Sequence, residues 1–296
     1  MNSQNFETRT FEEQIAEESF KLEEGIVKFV NETNFKRFLM IIKSAGFISP
    51  SLIRSKNALN FAYILYLTLK NHGYNPSEVE KYVRKWFALS ILTKRYSSSP
   101  ESQFDFDIRT FSKRNQDFGK ILEEVESGEL SDAFWDVTLL QNLVTSVASS
   151  PYFNVFLAAQ VKLNHNGFLS RDIKVSDMIA QRGDIHHIFP REYLKTKGFT
   201  KSEYNQIANY VYTQSEINIK IGKKSPKQYF SEIQKQCNGG DLIYGGICDT
   251  KSLQKNLEAN AVPSEVFNME SDEYENFLKL RRNMMRDKIK DYYNLL

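Results

Sequence analysis

Two histidines stand side by side in the stretch GDIHHIFP, residues 183–190, in a chain that holds four histidines in all. An imidazole is the side chain whose unperturbed pKa lets it take a proton from water near neutral pH, and its ring nitrogen also binds metals. Downstream, the stretch QIANYVYTQSEINIKIGKKSP, residues 206–226, supplies Asn209 and Asn218, followed by Lys220, Lys223 and Lys224. A carboxamide oxygen is a hard ligand suited to Mg²⁺, and clustered lysines attract phosphate. Phosphodiester hydrolysis needs those parts: a base for water, a cation to neutralise charge on phosphate and leaving oxygen, and basic groups for neighbouring phosphates.

These residues must be positioned by short elements. GDIHHIF is short, rich in isoleucine and stopped by Pro190, so it predicts a strand with one imidazole on each side. REYLKTKGF after it is helix-prone, YVYT at 210–213 predicts a second strand, and Ser215 can open a helix. The order is strand, connection, strand, helix. The rest of the chain is helical in pattern. Ile15, Leu22, Ile26, Phe29 and Val30 fall on one helical face within a stretch over 10–45. Further helices are predicted over 57–71, closing at Gly73; from Pro76 through 95; and over 105–127, 130–148 and 151–163. SSSPES at 97–102 predicts a loop. In the tail from Asp272, Phe277, Leu280, Met284 and Ile289 are expected to face inward, with Lys279, Arg281, Arg282, Arg286, Lys288 and Lys290 making a basic surface.

Composition narrows the class. The chain has 296 residues, 41% of them apolar, with 22 Phe and 15 Tyr, enough for a substantial core. The net charge of +2 announces no polyanion partner by itself. Between Arg171 and Lys235, however, twelve Lys or Arg face seven Asp or Glu, so positive charge gathers around the histidine pair. Two cysteines, Cys237 and Cys248, are too few for a disulfide framework and lack zinc-site spacing, so they are expected as free thiols. His72 and His165, beside Gly or Asn at turns, are expected on surface loops. The opening residues are polar and acidic, unlike a signal peptide, and no apolar run has membrane-spanning length, so a cytoplasmic protein is expected. No Gly-rich phosphate loop is present.

GDIHHIFP, IANYVYT and EINIKIGKKSP together resemble the HNH (ββα-metal) nuclease domain at the C-terminus of GmrSD-type restriction proteins, bacterial defence enzymes directed at phage DNA. WFALSILTKRYSSSPESQFDFDI at 86–108 and FLKLRRNMMRDKIKDYY in the tail resemble the helical regions flanking that nuclease. The resemblance implies a mainly α fold: a helical domain over 1–165, a ββα-metal module over 166–238 and a C-terminal helical segment over 239–296. It implies a Mg²⁺- or Mn²⁺-dependent DNA endonuclease. His187 would be the general base. His186 would be a metal ligand and Asn218 the second, where many relatives have Asp and His. Asn209 would brace the loop carrying His187 through backbone hydrogen bonds. Asp184 would either fix an imidazole tautomer or simply end the strand, and Lys220, Lys223 and Lys224 would meet phosphate. Double-stranded phage DNA would be the substrate. Full-length members carry an N-terminal sensor domain, which nothing here resembles, so a sensor domain or subunit would choose the target. A second reading is a non-catalytic helical adaptor with a decayed nuclease module. A third, a structural zinc site, has only two His and two distant Cys to draw on.

Overall fold

Apolar periodicity and well-placed caps account for most of the helices. The computed structural model describes residues 11–111 and 117–296. Helix α1 (Phe11–Phe29) gives way to α2 (Glu32–Ser44). The break sits at Asn31, whose Oδ1 accepts the Asn34 amide at 3.0 Å and so caps the second helix. A 3₁₀ turn at Pro50–Leu52 leads to α3 (Lys56–Asn71), capped by Ser55 Oγ. Gly73 then turns the chain with φ +82°, a conformation that costs a residue with a Cβ. Asn75 caps α4 (Pro76–Leu92), with Pro76 in its first turn. Next come α5 (Pro100–Phe111), α6 (Phe118–Glu129), a π-helical turn at Phe134–Leu139, α7 (Leu140–Asn142) and α8 (Pro151–Lys162).

After α9 (Val175–Ala180), β1 (Ile185–His187) is followed by α10 (Arg191–Thr196), α11 (Lys201–Tyr204) and β2 (Tyr210–Tyr212). Four helices complete the chain: α12 (Ser215–Ile221), α13 (Pro226–Cys237), α14 (Thr250–Ala259) and α15 (Tyr274–Asn294). The protein is mainly helical, and its sheet has two antiparallel strands. No helix among the described residues is long and apolar enough to cross a membrane.

One hydrophobic core runs from Phe38 to Leu296 and takes in side chains from all three segments delimited by sequence. Helix α8 is its axis. From Tyr152 to Gln160 every side chain is buried, as expected of a helix apolar all round, and α4, α9 and α15 pack on it. Within the helical half, Arg95 forms a buried ion pair with Asp107 at 2.5 Å. The Tyr96 hydroxyl donates to the same carboxylate at 2.8 Å and accepts from Trp86 Nε1 at 3.0 Å.

Five expectations change. The helical pattern over 105–127 divides between α5 and α6, the latter capped by Asp117, and residues 112–116 of that stretch lie outside the described residues. The stretch over 10–45 is two helices, and the apolar stripe of Ile15, Leu22, Ile26, Phe29 and Val30 lies exposed rather than against the core. SSSPES is only half a loop, because Pro100 stands in the first turn of α5, where its missing amide costs nothing. Residues 130–148 form short π and α turns followed by a loop over 143–150, not one long helix. In the tail, Phe277 and Ile289 are fully buried and Leu280 and Met284 partly so, but Arg281, placed by sequence on the basic surface, is 0% exposed.

Arg281 donates from Nη1 to Ala208 O at 2.9 Å, and from Nη2 to Tyr210 O at 2.7 Å and Asn260 O at 3.3 Å. Its Nε donates to Ala261 O at 3.3 Å. The planar guanidinium fork therefore joins α15, the start of β2 and the chain after α14. Replacing Arg281 by Met keeps much of the volume but strands those carbonyls away from water. Arg281→Met is expected to destabilise the protein by about 3 kcal/mol or more, seen as a lower urea midpoint with an unchanged slope. A wild-type midpoint would show that the carbonyls find other donors.

Candidate active site

The β1–β2 ribbon is short but strictly registered. Ile185 lies opposite Tyr212, His186 opposite Val211 and His187 opposite Tyr210. The Ile188 amide extends the ladder to Asn209 O at 2.9 Å. Alternation along a strand sends neighbouring side chains to opposite faces, so the two imidazoles divide between the faces of the ribbon. His187 shares its face with Tyr210, whose ring meets it edge-on with centroids 5.1 Å apart. His186 shares the other face with Val211.

His187 Nε2 lies 2.9 Å from Asn205 Oδ1. With that oxygen accepting, the ring carries its proton on Nε2 and Nδ1 keeps the lone pair. Burial lowers the His187 pKa; the Asn205 bond opposes this, while Arg191 and His186 add to it. The imidazole is therefore neutral at neutral pH, the state a general base requires. Sequence reasoning passed over Asn205. The signal was there in SEYNQIAN, where two asparagines four apart flank the turn into β2.

Asn209 is 0% exposed and fully engaged. Its Oδ1 accepts the Phe189 amide at 2.8 Å, and its Nδ2 donates to Phe189 O at 3.1 Å and Tyr204 O at 3.2 Å. This reciprocal pairing zips the exit of β1 onto the 3₁₀ turn that leads into β2. The Tyr229 hydroxyl of α13 donates to Ile188 O at 2.9 Å and pins the same exit from the other side. The backbone carrying His187 is thus held by side chains from two elements.

His186 Nε2 is buried and makes no hydrogen bond to any described residue. Burial lowers its pKa, and the charge of Asp184 pulls the other way. Asp184 itself is exposed at the start of the strand. Asn218 stands half-buried in α12, three residues into the helix after Ser215. A free imidazole nitrogen and a carboxamide oxygen are each of a kind that a divalent cation accepts as a ligand. His186 and Asn218 are the residues that would hold such an ion, with the charge of Asp184 acting on the His186 ring. No group of three His, Cys, Asp or Glu among the described residues forms a ready-made metal site.

The three lysines differ. Lys220 and Lys223 are exposed. Lys224 donates to Glu232 at 2.7 Å and to the Tyr244 hydroxyl at 2.5 Å, so its charge is already neutralised within the fold. Cys237 and Cys248 are free thiols. His72 is exposed, as expected, but His165 is not a surface histidine. Its Nδ1 is buried without a hydrogen-bond partner, and burial, together with Lys288, pushes its pKa down to about 4.

His165, His186 and His187 all have depressed folded-state pKa values. The unfolded chain therefore binds protons first, and stability is expected to fall as pH drops below the unfolded imidazole value of about 6.5. For His165 the loss continues down to about 4. Urea midpoints measured across that window should decline, and less steeply in His165→Asn. A flat profile would show that these rings are not buried neutral.

No family model matches the chain, and no solved structure does. Over 219 residues, 70% of its length, the chain is 30% identical to an uncharacterized protein of Methanocaldococcus jannaschii. It spans only 36% of that relative's length, so the relative is a much longer protein to which this chain is similar in part.

Proposed function

We propose that the protein is a metal-dependent DNA endonuclease of the HNH (ββα-metal) class, with His187 as general base. The observation that supports this most is the state of His187. A neutral ring on a two-stranded ribbon has its Nε2 proton directed to Asn205 Oδ1, and its strand exit is zipped by Asn209. Helix α12, bearing Asn218, follows directly after that ribbon.

In the proposed reaction His187 Nδ1 takes a proton from water, and the oxygen attacks phosphorus in line with the departing ester oxygen. The P–O bond breaks and its electrons go to that oxygen, which takes a proton from solvent. A Mg²⁺ or Mn²⁺ ion held by His186 and Asn218 would supply charge neutralisation on the phosphate and the leaving oxygen. Asn205 fixes the tautomer and steadies the His187 imidazolium as it forms, because its hydrogen bond favours the charged ring. Asn209 keeps the loop in place. Lys220 and Lys223 would meet flanking phosphates, with Lys224 tying the turn after α12 to Glu232 of α13 instead. The proposed biological setting is restriction of phage DNA, with target choice in a sensor domain or partner subunit. The greater length of the similar archaeal protein is in keeping with additional domains in such proteins.

Nicking of supercoiled plasmid with Mn²⁺ or Mg²⁺ tests this. Activity is expected to vanish with EDTA and to fall at least about 100-fold in His187→Ala, with circular dichroism unchanged. DNA binding without cleavage would instead favour the non-catalytic adaptor. In Asn205→Ala the rate is expected to fall about 10-fold or more. The acidic limb of its pH–rate profile should shift to lower pH, because the bond that raises the His187 pKa is gone. An unchanged profile would remove Asn205 from the mechanism.

A further inference from the structure

Helix α1 is amphipathic, yet its apolar side faces water. Ile15, Leu22, Ile26, Phe29 and Val30 share one face and are each 48–70% exposed. Together they leave on the order of 500 Å² of apolar surface in water, the upper range of what a monomer exposes in one patch. The helix is acidic, with five Glu against two Lys between Glu13 and Phe29. Both lysines are paired within it, Lys21 with Glu17 at 2.7 Å and Lys28 with Glu24 at 3.9 Å. Glu23 lies seven residues before Val30, at the edge of the stripe, and has no cation partner among the described residues. The end of the helix is fastened to the body: the Tyr63 hydroxyl donates to Phe29 O at 2.8 Å, and the two rings are 5.1 Å apart.

A groove of complementary character lies on the same chain. Between α2, the end of α3 and the start of α4 is a depression of about 450 Å³, lined by Met40, Ile41, Tyr66, Pro76 and Val79 among others, to which α1 contributes no residue. Met40 is 69% exposed. Arg37 and Lys43 stand one turn to either side of it, both exposed, and neither pairs with a carboxylate among the described residues. Arg37 also lines the groove. Lys70, on the same lining, donates to the neutral Asn34 Oδ1 at 2.7 Å. The one carboxylate of the lining, Glu80, is taken by Arg84 at 3.3 Å. The groove is therefore apolar in its floor and cationic at its rim, whereas α1 is apolar on its exposed face and acidic beside it.

We propose that the protein forms a two-fold dimer in which α1 of each copy lays its apolar stripe in the α2–α3–α4 groove of the other, with Glu23 meeting Arg37 across the contact. Ile15, Leu22 and Ile26 recur at steps of seven and four, the spacing with which an amphipathic helix anchors in a groove. Helix and groove are separate patches of one chain, and a two-fold axis satisfies both at once. Each copy contributes one stripe and one groove, so each buries about 800 Å² or more, the area of a stable dimer. Charge favours this arrangement over two α1 helices packed on each other, because both would be acidic. The assignment does not depend on the activity proposed for the ribbon.

Sedimentation equilibrium of the full chain tests it, and a dimer with a Kd of about 10 µM or tighter is expected. Ile15→Gln/Leu22→Gln/Ile26→Gln alters exposed side chains alone, so thermal unfolding should match wild type while Kd rises about 30-fold or more. Glu23→Arg and Arg37→Glu should each raise Kd about 5-fold or more, and both in one chain should restore it. In a Cys248→Ser background, oxidation of Leu22→Cys mixed with Met40→Cys should yield a disulfide-linked heterodimer. The proposal is overturned by a monomer up to about 100 µM, by a triple variant that dimerises normally, or by a charge-swapped chain no tighter than either single variant. Crosslinking of Leu22→Cys to itself in preference to Met40→Cys would also overturn it, showing that the α1 helices pair with each other.

Discussion

A cation buried without a counter-charge governs how this protein is put together. Arg281 is removed from water, and burial lowers its pKa, yet no ion pair to it exists among the described residues. Its charge is met only by the carbonyl dipoles of Ala208, Tyr210, Asn260 and Ala261. Taking a guanidinium out of water is expensive, and it is tolerated only when the donor fork finds acceptors in good geometry. Those acceptors come from chain far apart in sequence. The long helix α15, the turn into β2 and the segment after α14 must therefore assemble together. The ribbon of three residues per strand would be marginal alone. It is stable here because Arg281 and the surrounding core hold it.

The same dryness sets the chemistry of the ribbon. His186 and His187 are both pushed toward the neutral form by burial, though they lie on opposite faces. One ring is oriented by Asn205; the other keeps a bare nitrogen. In the proposed function that asymmetry separates base from ligand. Asn209 serves both, because its side chain closes the backbone loop beyond them without touching either ring.

Much of the fold was legible. Pro76 after Asn75, Gly73 after α3, Ser215 opening α12 and the β-branched and aromatic residues of YVY each act through local backbone preference, which sequence carries directly. Pro100 misled because proline both ends loops and begins helices, and only the following packing decides which. The α1 stripe misled because periodicity marks a helical face without saying whether anything covers it. In the candidate site, His186, His187, Asn209 and Asn218 were visible by residue type. Asn205 was not, since an asparagine in a polar turn looks ordinary until a ring is seen against it.

What the sequence determined by itself was therefore local: where helices begin and end, that two short strands flank a helical connection, and that two histidines sit on the first of them. Only the tertiary structure decided which charges are buried and which groups lack partners. It drew Arg281 from an apparently basic helix face into the interior, left the Ser90 hydroxyl without a partner, and turned the His165 ring inward from its loop. The physical reason is that backbone preference acts over neighbouring residues, whereas desolvation and hydrogen-bond satisfaction depend on segments brought together from across the chain.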